Sequence, residues 1–272
     1  MESTLCMAVL LARPATRHTL DALLRPLGDV RPEAGGLVLE AEGIEIAVDP
    51  FDQPFPSGTE GEAFAAGAFG AGSTPQSLQR AVDHPWTWRE SRMVAPRHQA
   101  FVRLLLTSAG APIPEMMCLT RAAAALGEAD GALCVFTPAG EALRSVEAVQ
   151  DGLRRIGAVP APVDLWTNTR LASLGPRWQA MDTVGLGPLG HTDLAALFLP
   201  DRCTWRAADA FLRNLCLYVL DGGALAGGDG LPGPDGTEWE VRASPTALLP
   251  PERPLLQLAA VGGPDLGVVV KG

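Results

Sequence analysis

Lysine is almost absent from this chain: Lys271 stands alone beside 20 arginines in 272 residues. Against 31 acidic residues this leaves a formal net charge of −10. A protein that grips a phosphate backbone needs a basic surface, so the charge balance argues against nucleic-acid binding. No apolar run approaches the roughly 20 residues of a membrane-spanning helix, which argues against a membrane role. The opening residues Met-Glu-Ser-Thr-Leu-Cys-Met-Ala-Val-Leu-Leu-Ala carry an acid where a secretion signal carries bases, and read as a first strand. Cys-x-x-Cys does not occur. The cysteines (Cys6, Cys118, Cys134, Cys203 and Cys216) are odd in number, scattered and set among apolar residues. That pattern predicts reduced, buried thiols, a cytoplasmic location and no structural zinc. His18, His84, His98 and His191 include no pair at His-x-x-x-His spacing, so neither a metal nor a cofactor is expected.

What the chain does have is enough apolar content, 47%, to bury a substantial core. Its 30 glycines and 24 prolines predict many turns and short elements. Residues 5–12 read as a strand, 16–27 as a helix, 101–107 as a central strand, 114–128 as a helix, 132–136 as a strand and 145–156 as a helix. Thr74-Pro75 fits the start of another short helix, with threonine as N-cap and proline at the first helical position. Beyond Ala158-Val-Pro-Ala-Pro162 the pattern changes to strands at 163–172, 178–186, 192–199, 239–242, 255–261 and 266–270. One long helix from Thr204, closed by Gly222-Gly223, interrupts that run. The prediction is an α+β protein of two packed α/β subdomains, 1–157 and 158–272, with mainly antiparallel sheets and helices on one face.

Three features carry chemistry. Gly185-x-Gly187-x-x-Gly190 spells a dinucleotide fingerprint, but Pro188 interrupts it and Pro200 ends the next segment after about nine residues. A strand suits that length better than the helix a nucleotide site needs, so the glycines read as a connection between antiparallel strands. The Gly227–Gly236 loop lacks the alternating ligands and terminal glutamate of a calcium loop.

The second feature is the segment Leu37–Asp49, whose alternation around Glu42-Gly43 predicts a two-residue hairpin. Leu37, Leu39, Ala41, Ile44, Ile46 and Val48 share the apolar face, leaving Glu40, Glu42, Glu45 and Asp49 opposite. The register puts Glu40 across from Glu45, a like-charge pair that costs a few tenths of a kcal/mol. Residues 29–62 hold nine acids and only Arg31, so −8 of the total −10 falls in one eighth of the chain. A solvated face is the plain reading. The sharper one is a docking surface for a basic protein, formed by Glu40, Glu42, Glu45, Asp49 and Asp52.

The third is His191 beside Asp193, which alternate strand positions would place on one face as an acid/base pair. With Arg170 they form the alternative site, that of a small-molecule hydrolase or transferase. Ser145, Ser173 and Ser244 lack a nucleophile-elbow context.

Asp164-Leu-Trp-Thr-Asn-Thr-Arg170, Thr183-Val-Gly-Leu-Gly-Pro-Leu-Gly-His-Thr-Asp-Leu194 and Tyr218-Val-Leu-Asp-Gly-Gly223 resemble an uncharacterised bacterial family, one of the numbered domains of unknown function. Phe69-Gly, Ala81-Val, Trp86, Trp88 and Leu119-Thr-Arg-Ala-Ala-Ala-Ala-Leu126 look like the same family's N-terminal portion. In the family the second phrase typically has phenylalanine and glutamate where this chain has Leu189 and Asp193. The resemblance brings no catalytic residues. It implies an association with secreted-toxin loci, and so an immunity or accessory protein that binds a toxin, with the acidic hairpin as the expected contact for a basic toxin domain.

Overall fold

The computed structural model describes residues 3–56, 67–108, 110–156, 161–244 and 247–269. Glu60, Glu62 and the boundary residues 158–160 lie outside that set. The chain is α+β and divides into two compact units, Met1–Trp166 and Thr167–Gly272. The sequence puts the join at 157/158. Residues Val163–Trp166, expected to begin a strand, instead form one helical turn (α6) whose Trp166 indole donates to Thr120 Oγ1 at 2.9 Å. That bond and the burial of Leu165 and Trp166 tie the turn to the first unit.

The first unit is built on a seven-stranded antiparallel sheet. Its strands are β1 (Ser3–Leu11), β2 (Asp29–Glu33), β3 (Gly36–Ala41), β4 (Ile44–Phe51), β5 (Ala100–Ser108), β6 (Ala132–Thr137) and β7 (Ala142–Arg144), in the order β2-β3-β4-β5-β1-β6-β7. β5 is central, and over 100–106 its sequence is apolar apart from Arg103, which pairs across to β4. β2 is an edge strand of mixed polarity with a proline in it, a pattern that periodicity does not mark. Helices α1 (Arg17–Leu24), α4 (Pro112–Leu126) and α5 (Val146–Arg154) cover one face. Thr16 and Ser145 cap the first and last of these by accepting the backbone N–H of Thr19 and Ala148.

The opposite face is covered by the connection from β4 to β5, which carries α2 (Ser77–Asp83) and α3 (Ser91–Val94). Helix α2 starts at Ser77 rather than at the Thr74-Pro75 signal, because the Ser77 hydroxyl accepts the Thr74 N–H at 2.9 Å and closes a turn there first. Under this connection Phe55 meets Phe69, Phe101 and Phe136 at centroid distances of 4.9, 5.1 and 5.2 Å. His98, 7% exposed, pins the segment from beside them. Its Nδ1 donates to Ala95 O at 2.6 Å and its Nε2 accepts the Phe55 N–H at 2.9 Å.

The second unit holds a six-stranded mixed sheet. Its strands are β8 (Asn168–Leu174), β9 (Trp178–Val184), β10 (Asp193–Phe198), β11 (Gly230–Pro232), β12 (Glu238–Ser244) and β13 (Leu255–Ala260), ordered β11-β12-β13-β10-β9-β8. Among the described residues only β10 and β13 pair in parallel. Helix α7 (Trp205–Leu220), N-capped by the Thr204 hydroxyl and followed by Gly222 at φ +92°, packs on β9 and β10. The other face is lined by Ala180, Ala195, Leu197, Leu255 and Ala259. It is covered by Ala247 and Leu248 and by Leu266 of α8 (Leu266–Val269). The apolar pattern predicts a strand over 266–270. Instead Asp265 O accepts the N–H groups of Val268 and Val269, and the Gln257 side chain accepts the Leu266 N–H, closing a helical turn. All five cysteines are buried and free.

Candidate functional site

The Gly185–Gly190 stretch is the connection between antiparallel β9 and β10, as expected from the proline inside it. Leu186 leads a single 3-10 turn, and Gly190 leaves it at φ +86°, a conformation in which a side chain would be strained. The Asp193 carboxylate holds the turn from below, accepting the Leu186 N–H at 3.0 Å and the Thr183 hydroxyl at 3.1 Å.

Asp193 belongs to a buried charge cluster that local sequence pattern does not expose. Arg170 on β8 stands opposite Asp182 on β9, and Asp182 stands opposite Ala195 on β10, two residues beyond Asp193. Arg170 Nε and Nη2 donate to the two Asp182 oxygens at 3.0 and 2.7 Å. Arg253, from the segment leading into β13, donates through Nη2 to Asp182 at 2.7 Å and through Nε to Asp193 at 2.9 Å. The remaining guanidinium donors reach the carbonyls of Leu249, Pro250, Pro251 and Thr183. Two cations and two anions thus balance, and they bind residues 249–253 down over the sheet. Burial pushes the Asp193 carboxyl above its ordinary value, against the opposing pull of Arg253.

Of the residues expected to form the alternative site, Arg170 and Asp193 join one network, but through Asp182 and Arg253. His191 does not join it. β10 begins only at Asp193, so the strand alternation that would align His191 with Asp193 is absent. Among the described residues Asp193 accepts from Leu186, Thr183 and Arg253. His191 is half-buried, and desolvation lowers its pKa. Asp182 does carry a signal in the sequence: a lone acid between Met181 and the Thr183-Val184 pair of an expected strand needs a compensating partner if the strand is buried. Arg253, within Pro-Glu-Arg-Pro, carries none.

The acidic hairpin has the predicted register, with Glu40 opposite Glu45 and Ala41 opposite Ile44. Glu42 and Gly43 at φ +55° and +78° form the two-residue turn, both positive as that turn requires. The five acids do not form one surface. Glu42 sits in the turn and reaches the helical side, where Arg121 of α4 donates to it at 2.6 Å. Asp49 is half-buried, directly opposite Arg103 on β5, and accepts at 2.7 Å from the guanidinium that lies over the Phe51 and Phe69 rings. Asp52 is exposed and comes after β4 ends.

Glu40 and Glu45 remain side by side on the sheet, and the structure adds a third member. Asp29 of β2 lies opposite Glu40 on its other side, so Asp29, Glu40 and Glu45 form a row across three strands. All three are exposed. Arg31 reaches the Glu45 end of the row. Periodicity does not reveal Asp29 as a member because it does not reveal β2.

Among the described residues no group of three His, Cys, Asp or Glu side chains could hold a metal ion, and no helix is long and apolar enough to cross a membrane. Residues 182–259 match a family described as a domain of unknown function (DUF4261). The matched span runs from within β9 to within β13. It contains Asp182, Asp193 and Arg253 and leaves Arg170 and the whole first unit outside. Neither a curated protein nor a solved structure matches the chain.

Proposed function

We propose that this protein is a non-enzymatic binding protein whose acidic row on the first unit engages a basic protein partner. In its sharper form the proposal is a cytoplasmic immunity or accessory protein that neutralises a secreted toxin by direct contact. The observation that carries it is the juxtaposition of Asp29, Glu40 and Glu45. Like charges directly opposite one another on adjacent strands destabilise a sheet, and here two such pairs stand in succession, with Arg31 meeting only the Glu45 end. A basic surface docked on the row turns that repulsion into attraction and accelerates encounter.

The competing reading, a hydrolase or transferase around His191 and Asp193, has less support. The oxygens of Asp193 are engaged by Leu186, Thr183 and Arg253, and the Arg170 guanidinium is committed to Asp182 and to two carbonyls. Groups so occupied are poorly placed to move a substrate proton.

Affinity capture from the native host, with wild type beside Asp29→Asn/Glu40→Gln/Glu45→Gln, tests the proposal. The expected result is a protein retained by the wild type and lost by the variant, with an association rate that falls as salt rises. Equal capture by both proteins, with equal salt dependence, would overturn it.

A further inference from the structure

We propose that His98 is an acid-sensitive clasp, and that its protonation releases the segment Asp52–Pro56 from the aromatic cluster of the first unit while the sheet stays folded. The inference is independent of the acidic row and rests on hydrogen-bond geometry. The ring is 7% exposed and each nitrogen has one partner of opposite kind. The Ala95 carbonyl, 2.6 Å from Nδ1, can only accept, and the Phe55 N–H, 2.9 Å from Nε2, can only donate. These partners fix the neutral tautomer with the proton on Nδ1. A second proton must go on Nε2, where it meets the Phe55 N–H. Two donors then face each other, a buried charge gains no acceptor, and the simplest relief is for Phe55 to withdraw.

The charges among the described residues do not offset this. Asp52 on the held segment, Arg97 beside the histidine, and Glu90 and Arg92 about the α3 helix are exposed. Arg103 on β5 is taken up by Asp49 and the Ala68 carbonyl. The histidine pKa is lowered by burial, partly offset by the Ala95 hydrogen bond, with no contribution from a charged neighbour among the described residues. Phe55 is the ring that meets Phe69, Phe101 and Phe136, so its departure uncovers apolar surface at one place. The lowered pKa sets the sign. The closed form resists the proton that the open form accepts near the ordinary value of about 6.5. Opening is therefore suppressed above that pH and grows by up to about tenfold per pH unit below it, until the closed form also titrates.

The test is hydrogen exchange at the Phe55 amide of the full chain from about pH 7.5 to about pH 5, corrected for intrinsic rate, with the Val9 amide of β1 as reporter of global unfolding. Protection at Phe55 should fall below roughly pH 6.5, by up to about tenfold per unit, while Val9 holds. In His98→Gln, whose side-chain oxygen still accepts but does not titrate, Phe55 protection should be flat. Imidazole nitrogen shifts of the wild type give a second measurement that needs no variant: a neutral ring protonated on Nδ1 at neutral pH, titrating together with the Phe55 change. Flat Phe55 protection in the wild type, a fall that Val9 shares, the same fall in His98→Gln, or a ring already charged at neutral pH would each overturn the clasp.

Discussion

Arg170 and Asp182 face each other on β8 and β9 with both side chains at 0% exposure, joined by two hydrogen bonds. A bidentate pair so deep contributes chiefly through what its disruption costs. Arg170→Met should destabilise the second unit by about 3–5 kcal/mol, because it strips Asp182 of one of its two cations and takes the donor from the Pro250 carbonyl, while Leu249 keeps its bond from Arg253. Denaturant unfolding measures this, and a loss under about 1 kcal/mol would show that water enters and the pair is not sealed.

The acidic row makes the opposite prediction. Glu40 stands between Asp29 and Glu45, so Glu40→Arg replaces two repulsions by two attractions on an exposed surface. Stability should rise by about 0.5–1 kcal/mol at low ionic strength, and the gain should shrink in high salt. A thermal melt with no increase would mean that Arg31 already neutralises the row.

Phe55 holds the outer layer of the first unit through ring contacts with three other phenylalanines. Phe55→Ala should cost about 3–5 kcal/mol at any pH, whereas His98→Gln should cost much less near neutrality. Similar losses in the two variants would mean that the hydrogen bond, rather than the aromatic packing, fixes the segment.

The thiols should be silent in the folded protein. Burial pushes Cys6, Cys134 and Cys216 up to about 12 and Cys203 up to about 11, and raises Cys118 with help from Glu42. Since the thiolate is the reactive form, Ellman's reagent at mildly alkaline pH should label none of them quickly, and all five on unfolding. One thiol reacting at the rate of free cysteine would contradict the burial.

Sequence pattern carries the hairpin down to its register because Leu37–Asp49 alternates cleanly and Glu42-Gly43 allows one turn. It carries α4, α5 and α7 because their apolar residues recur at helical spacing. It misses β2, whose Asp-Val-Arg-Pro-Glu lies on an exposed edge where only Val30 must be buried. It takes 266–269 for a strand because a short apolar run is ambiguous until hydrogen bonds to Asp265 and Gln257 decide. At the candidate sites the limit is distance along the chain. Asp182 and Arg253 are 71 residues apart, Asp49 and Arg103 are 54 apart, and no local period links such partners. The His191–Asp193 pairing fails for the complementary reason: closeness along the chain counts for nothing when the strand begins only at the second of the two residues.

The order of strands in the second unit bears on how the chain is made. β13 is the last of its six strands to be synthesised, yet it lies between β12 and β10, and Arg253 immediately precedes it. A nascent chain that has emerged only as far as β12 has a vacancy beside β10 and lacks the guanidinium that joins Asp182 to Asp193. Such a chain must wait with a carboxylate and an apolar sheet edge together in water, open to holdase chaperones, to proteases and to pairing with neighbouring chains. Slow translation upstream of residue 253 would prolong that interval, and a truncation before it would leave a second unit unable to complete its sheet.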